Sequence, residues 1–297
     1  MAAMRAGVID VGSNTVRLLV AARTPGGFKT ILSERTHLGL ALDIERSGAI
    51  SVEKLVQVGA IAGDYAARGR ESGAERLAMI VTAPGRQSSN AGSLGRILSE
   101  CTGLATHQLS AEDEARLAYF GAIAKCAPIP EPVGVIDVGG GSTQLTVGTA
   151  AKPAWLRSLD LGSLRLTERY VREDPPVPEE LAALVDAVER VFATITPPIP
   201  RTVLATGGTA RSLRRIAGRC LGAKELAAAL GVLSAAPAAE VAAQHDLRPE
   251  RARILPAGTI VLREAQRRLG TELETARGGV RDGVMLGLLD ELAAAAA

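Results

Sequence analysis

The feature that most constrains this sequence is a word it uses twice. Val8-Ile9-Asp10-Val11-Gly12-Ser13-Asn14-Thr15 near the start returns as Val135-Ile136-Asp137-Val138-Gly139-Gly140-Gly141-Ser142-Thr143 at mid-chain. In each copy, apolar and β-branched residues around an aspartate predict a buried strand, and the glycines that follow predict a tight turn. Such a turn presents backbone N–H groups, which in a concave arrangement bind phosphate oxygens. An aspartate at the strand end can hold a hydrated Mg²⁺ that bridges to those oxygens. One strand ending in a glycine turn is ordinary in α/β proteins. A repeat of it implies a duplication, with two copies placed to grip a phosphate chain from both sides.

At 297 residues the chain has room for two domains. Hydrophobic residues make up 47% and aromatic residues 2%, so the core must be aliphatic. Lys+Arg 34 against Asp+Glu 32 leaves +2, which argues against a nucleic-acid partner. Cys101, Cys126 and Cys220 are widely spaced, and no Cys-x-x-Cys occurs. That argues against a disulfide framework or a zinc site and fits a reducing compartment. His37, His107 and His245 are isolated from one another. No apolar run approaches the ~18 residues that a membrane helix needs. A soluble, cytoplasmic protein without a membrane partner is the expectation.

After the first turn, residues 16–21 and 28–32 predict two more strands joined by a Pro25-Gly26-Gly27 hairpin. An amphipathic helix follows from Ser51 to about Arg70. Residues 77–82 predict a buried strand that ends in a loop, Ala83-Pro84-Gly85-Arg86. A helix through Leu94 and Leu98 and a short strand over 106–109 come next. Ser110-Ala111-Glu112-Asp113 reads as a capping box that opens a helix. The segment Ala127-Pro128-Ile129-Pro130-Glu131-Pro132 cannot continue that helix, which predicts domains 1–127 and 128–297.

The second half repeats the plan. Strands over 145–148 and 156–161 precede helices from Ser163 and Pro178. A third glycine strand, Val203-Leu204-Ala205-Thr206-Gly207-Gly208-Thr209, opens a helix that carries Arg211, Arg214, Arg215 and Arg219. Positions 211, 215 and 219 share one face, either as a track for a polyanion or as a solvated helix face. A strand over 272–276 leads through Arg277-Gly278-Gly279 into a last helix, which is free to pack back on the first domain. The fold class is therefore α/β: two ribonuclease-H-like, actin-like ATPase domains with an interlobe cleft for phosphates.

The resemblance to a known family then becomes specific. It rests on the two aspartate-glycine words, on Glu112-Asp113-Glu114-Ala115-Arg116-Leu117, and on Gly162-Ser163-Leu164-Arg165-Leu166-Thr167-Glu168-Arg169. Thr206-Gly207-Gly208-Thr209, Leu255-Pro256-Ala257-Gly258 and Gly279-Val280-Arg281-Asp282-Gly283 complete it. In this order the chain resembles the exopolyphosphatase and guanosine-pentaphosphate phosphatase family in its short two-domain form. The resemblance implies a Mg²⁺-dependent hydrolase, with K⁺ as an accessory ion, that releases orthophosphate from the end of inorganic polyphosphate. Guanosine pentaphosphate is the alternative substrate, and a homodimer is implied.

The site residues follow from both sources. Asp10 and Asp137 are the candidate metal ligands. Gly12, Ser13, Asn14 and Thr15, with Gly139, Gly140, Gly141, Ser142 and Thr143, are the candidate phosphate clamp. The resemblance adds Gly207, Gly208 and Arg281 on the substrate side. It also assigns Glu114 as general base and Arg86 as a phosphate contact. From the residues alone, Glu112, Asp113 and Glu114 equally suit a helix's first turn, where acids complement the dipole. Gln144 departs from the family, which carries a glutamate there to help hold metal and water. A glutamine keeps an acceptor but has no charge and takes no proton. That departure leaves open either modest turnover or a weakly active or non-catalytic binder of polyphosphate or nucleotide.

Overall fold

A computed structural model describes residues 4–126 and 128–295. The chain divides into two compact units, Met1–Leu117 with Val280–Ala297, and Ala118–Gly279. In the first, β1 (Arg5–Val11), β2 (Thr15–Thr24) and β3 (Gly27–His37) form an antiparallel meander. Then come α1 (Leu40–Ser47), α2 (Val52–Glu71), β4 (Arg76–Val81), α3 (Ala83–Gln87), α4 (Ala91–Thr102), β5 (Thr106–Gln108) and α5 (Ala111–Ile123). The sheet order is β3-β2-β1-β4-β5, with β4 parallel to β1 and β5 parallel to β4.

The second unit begins within α5 and repeats this order. β6 (Val133–Val138), β7 (Thr143–Gly148) and β8 (Pro153–Leu159) are its meander, followed by α6 (Ser163–Tyr170), α7 (Pro178–Phe192), β9 (Thr202–Thr206) and α8 (Gly207–Ala217). The two-residue strand β10 (Cys220–Leu221), α9 (Ala223–Ala235), α10 (Ala238–Gln244), α11 (Pro249–Leu269) and β11 (Leu273–Thr275) complete it. Its sheet order is β10-β11-β9-β6-β7-β8, and β9 runs parallel to β6 and β11 to β9. Taken from the meander edge, both sheets place two parallel strands beside the strand that ends in the aspartate. The duplication is thus one of topology as well as of sequence.

Strand alternation explains the core on each side. In β1, Ile9 and Val11 face Val58, Ala62 and Tyr65 of α2 and Leu94 and Leu98 of α4. Ala6 and Val8 face Met285 and Leu289 of α12 (Val280–Ala295). In β6, Ile136 and Val138 join the large aliphatic cluster with Leu255 and Ile260 of α11, while Val133 and Val135 meet Tyr119 and Ala122 of α5. Asp10 shares the face of Ala6 and Val8, and Asp137 that of Val133 and Val135.

Three features differ from the sequence expectation. The division falls inside α5 rather than in the proline-rich segment, whose Ala127 lies outside the described residues. Residues 83–86 belong to the short helix α3 rather than to a loop, because Pro84 sits in the first turn, where its missing N–H costs nothing. Helix α1 and strand β10 arise where no element was expected.

Candidate active site

The two turns have the same backbone. Gly12 N–H donates to Thr15 O at 3.0 Å, and Gly139 N–H donates to Ser142 O at 2.9 Å. The turn carbonyls then point back into their own unit, where each set caps a helix. Ser13 O accepts from Ala41 N–H and Asn14 O from Leu38 and Gly39 N–H, which starts α1. Gly139 O accepts from Ser163 N–H, and Gly140 O from Leu164 and Arg165 N–H, which starts α6. With the carbonyls spent this way, the N–H groups of Ser13, Asn14 and Gly140 donate to no backbone carbonyl among the described residues. An anion is the partner such groups favour. Gly162 makes the second arrangement possible, since a Cβ there would overlap Gly140 O.

The first corner is charged. Asp10 lies opposite Arg17 in the β1–β2 register, which puts both side chains on one face. Arg281, from the start of α12, brings its Nε to 3.8 Å from Asp10 Oδ2. The carboxylate is 13% exposed, and its Oδ1 has no hydrogen-bond partner among the described residues. Burial pushes the Asp10 carboxyl above the usual carboxylate range, against the opposing pull of Arg17 and Arg281. A buried carboxylate oxygen without a donor suits a cation, but Arg17 and Arg281 beside it oppose one, so a divalent ion fits here only together with the negative charge of a bound phosphate. No cluster of three or more His, Cys, Asp or Glu occurs among the described residues. An ion at Asp10 would complete its shell with water and substrate oxygens, as Mg²⁺ commonly does.

The structure separates the three acids of α5. Glu112 pairs with Arg116 one turn on, in solvent, and Asp113 with Ser110 at the cap. Glu114 turns inward, 7% exposed, and its Oε2 accepts from Arg86 Nη2 at 2.6 Å. Arg86 Nη1 also donates to Leu109 O at 2.9 Å, which fixes the guanidinium between α3 and the start of α5. Arg86 and Glu114 thus form a desolvated, two-point-anchored pair within the first unit.

The second corner has a neutral residue where the first has a charged one across from its aspartate. Gln144 lies opposite Asp137, in the place that Arg17 holds opposite Asp10. It is 2% exposed, and its Nε2 donates to Ser142 Oγ at 2.9 Å and to Ser158 Oγ at 3.1 Å. Asp137 packs on the start of α8. Gly207, at φ 84°, leaves the space its Oδ1 occupies, and a Cβ on Gly279 would lie 3.6 Å from its Oδ2. The neighbouring Gly208 is covered too, for its Cβ would lie 3.0 Å from an Arg251 guanidinium nitrogen. The glycine pair 207–208 therefore admits close approach by the chain's own Asp137 and Arg251. Helix α8 ends at Ala217, so Arg219 lies beyond it and not on the one helical face expected for 211, 215 and 219. Arg215 pairs with Asp246 at 2.6 Å and Arg219 with Glu274, both acids of the chain itself.

Sequence reasoning missed Arg17 and Ser158 as members of these corners. Their only signal is strand register, which places each across from a named residue. No helix among the described residues is long and apolar enough to cross a membrane.

Comparison with known proteins adds a family. The model of the Ppx/GppA phosphatase family matches residues 19–292. Exopolyphosphatase 1 of Mycobacterium tuberculosis is 30% identical over 306 residues, covering 97% of this chain and 89% of the relative. Exopolyphosphatase 2 of the same species is 27% identical, covering 97% and 99%. Among solved structures, an exopolyphosphatase from Cytophaga hutchinsonii superposes with a TM-score of 0.87 at 19% identity, covering 97% of this chain and 98% of that one. The Ppx/GppA family member of Aquifex aeolicus gives 0.83 at 24% identity, covering 98% of each. At these identities the two structures speak to the fold, and it is that of this chain.

Proposed function

Because the chain belongs to the Ppx/GppA phosphatase family, we propose that it hydrolyses the terminal phosphoanhydride bond of inorganic polyphosphate, in a Mg²⁺-dependent reaction that releases orthophosphate. The observation that carries this reading is the buried Glu114–Arg86 pair at 2.6 Å. Phosphoryl transfer asks little covalent chemistry of a protein. It needs an oriented water, a proton acceptor and fixed charges around the equatorial oxygens.

In this reading Glu114 takes a proton from water as its oxygen bonds to the terminal phosphorus. The bridging P–O bond breaks, and the chain, one phosphate shorter, leaves with the bonding electrons. Arg86 holds Glu114 in a single orientation before the step. Once the carboxyl is protonated, the charge of Arg86 becomes available to the phosphate beside it. The N–H groups and hydroxyls of residues 12–15 and 139–143 bind phosphate oxygens, and Arg281 adds charge on the substrate side. Mg²⁺, when bound, would neutralise phosphate charge. What supports Asp10 as its ligand is the orphaned Oδ1. Asp137 is the weaker ligand of the two, because its carboxylate is packed against Gly207.

The test is orthophosphate release from polyphosphate by the full chain with Mg²⁺, beside the same assay with guanosine pentaphosphate. Release from polyphosphate, reduced about 100-fold or more in Glu114→Ala, is the expected result. A wild-type protein that leaves polyphosphate intact, or a Glu114→Ala variant of undiminished rate, overturns it.

A further inference from the structure

The duplication preserves one hydrogen bond through a complete change of side chain. In the first corner Arg17 Nε donates to Thr15 Oγ1 at 2.9 Å. In the second Gln144 Nε2 donates to Ser142 Oγ at 2.9 Å. The two pairs occupy equivalent places, since Arg17 faces Asp10 and Gln144 faces Asp137 across their strand pairs. In each corner donor and hydroxyl are two residues apart in sequence, within β2 in the first and across the turn-to-β7 junction in the second.

The direction of the bond is fixed in the first corner, because a guanidinium has no acceptor. Thr15 Oγ1 must receive, and its single proton is then turned to another partner. The same geometry at Ser142 has the same result. Among the described residues neither hydroxyl donates to a protein acceptor. The amide of Gln144 is held from the far side as well: Ser158, directly across β7–β8, receives the second Nε2 hydrogen at 3.1 Å. Both amide hydrogens are thereby spent on serine oxygens.

We propose that Arg17 and Gln144 are matched positioning residues that aim the hydroxyl protons of Thr15 and Ser142 at phosphate oxygens of the substrate. This rests on the reading of both turns as phosphate-binding and deepens it. It gives Gln144 a positive role, because what the position needs is a donor and arginine supplies one in the other copy. A carboxylate at 144 would reverse the bond. It would accept the Ser142 proton, withdraw that donor from the substrate, and add a buried negative charge beside a polyanion.

The experiment measures equilibrium binding of inorganic polyphosphate to the full chain, alongside kcat and KM for orthophosphate release. The proteins are wild type, Ser142→Ala, Ser142→Thr, Gln144→Glu and the double variant Gln144→Glu/Ser142→Ala. Ser142→Ala should weaken polyphosphate binding about ten-fold, as expected for one lost hydrogen bond to a charged group. Ser142→Thr, which installs the residue of the first corner, should restore it. Gln144→Glu should weaken binding at least as much as Ser142→Ala, and the double variant should lose less than the two single losses multiplied. The effects should fall on KM, with kcat little changed.

Gln144→Glu binding as tightly as wild type, Ser142→Ala without effect, or losses that simply multiply would overturn the inference. Should Gln144→Glu fail to fold, the Ser142 pair of variants decides alone. If wild type binds polyphosphate in the expected pattern yet releases no orthophosphate, the hydrolytic reading falls and this inference stands. If wild type turns over while no variant shifts affinity, this inference falls alone.

Discussion

Along the row that crosses each meander beside its turn, the first unit places Asp10, Arg17 and Arg35, and the second places Asp137, Gln144 and Ser158. The backbone of the two corners is the same, down to the N–H to carbonyl bond that closes each turn and the carbonyls that start the next helix. Across from the aspartate the side chains differ, two arginines in the first row and Gln144 and Ser158 in the second. Asp10 keeps an unsatisfied buried oxygen beside two arginines, whereas Asp137 is packed against Gly207 at the start of α8 and lies close to Gly279. The first unit also holds the buried Glu114–Arg86 pair. A duplicated scaffold thus supplies two turns of the same backbone, and the row beside each decides whether the residue across from the aspartate brings charge or neutral hydrogen bonds. On the proposed reading each corner binds phosphate, the first with charge beside its turn and the second with neutral hydrogen bonds.

That contrast can be broken at several points. The largest effect on stability is expected for Arg86→Ala, which leaves the Glu114 carboxylate buried without its guanidinium and should cost about 3–5 kcal/mol in chemical denaturation. A loss below about 1 kcal/mol would mean that the pair is solvated in solution. Next is Gly162→Ala in the second corner, where a Cβ overlaps Gly140 O. A loss of about 2 kcal/mol is expected by calorimetry, with weakened polyphosphate binding.

The aspartates should then respond differently to neutralisation. Burial raises Asp10, so the ionised form is the costlier one in the folded state. With a chelator present, Asp10→Asn should raise the melting temperature at neutral pH. Asp137→Asn should give no such gain. Equal shifts in melting temperature for the two variants would erase the asymmetry. The smallest effect is expected for Arg215→Ala, which removes an exposed pair with Asp246 and should change stability by about 0.5 kcal/mol or less. It should also leave polyphosphate affinity unaltered if that face is not a track.

Much of the fold was legible because it is written in local patterns. The apolar run around each aspartate, Ser51 ahead of α2 and Ser110 ahead of α5 each announce an element through neighbouring residues. Helix α3 was hidden because Pro84-Gly85 resembles a turn, although a proline is tolerated in a helix's first turn. Strand β10 is too short to leave a pattern. At the candidate site the residues within each turn were visible, being consecutive. Arg17 and Ser158 were not, because what brings them to their aspartates is cross-strand register. Sequence alone also left three acids at the head of α5 equivalent. They part company only once α3 folds Arg86 against one of them.

The most direct test is a side-by-side determination of kcat and KM for orthophosphate release from polyphosphate by wild type, Glu114→Gln and Ser142→Ala. The account predicts that Glu114→Gln lowers kcat about 100-fold or more with KM nearly unchanged, and that Ser142→Ala raises KM about ten-fold with kcat nearly unchanged. If both variants move the same constant, or if Glu114→Gln turns over at the wild-type rate, the division of labour between Glu114 and Ser142 is contradicted.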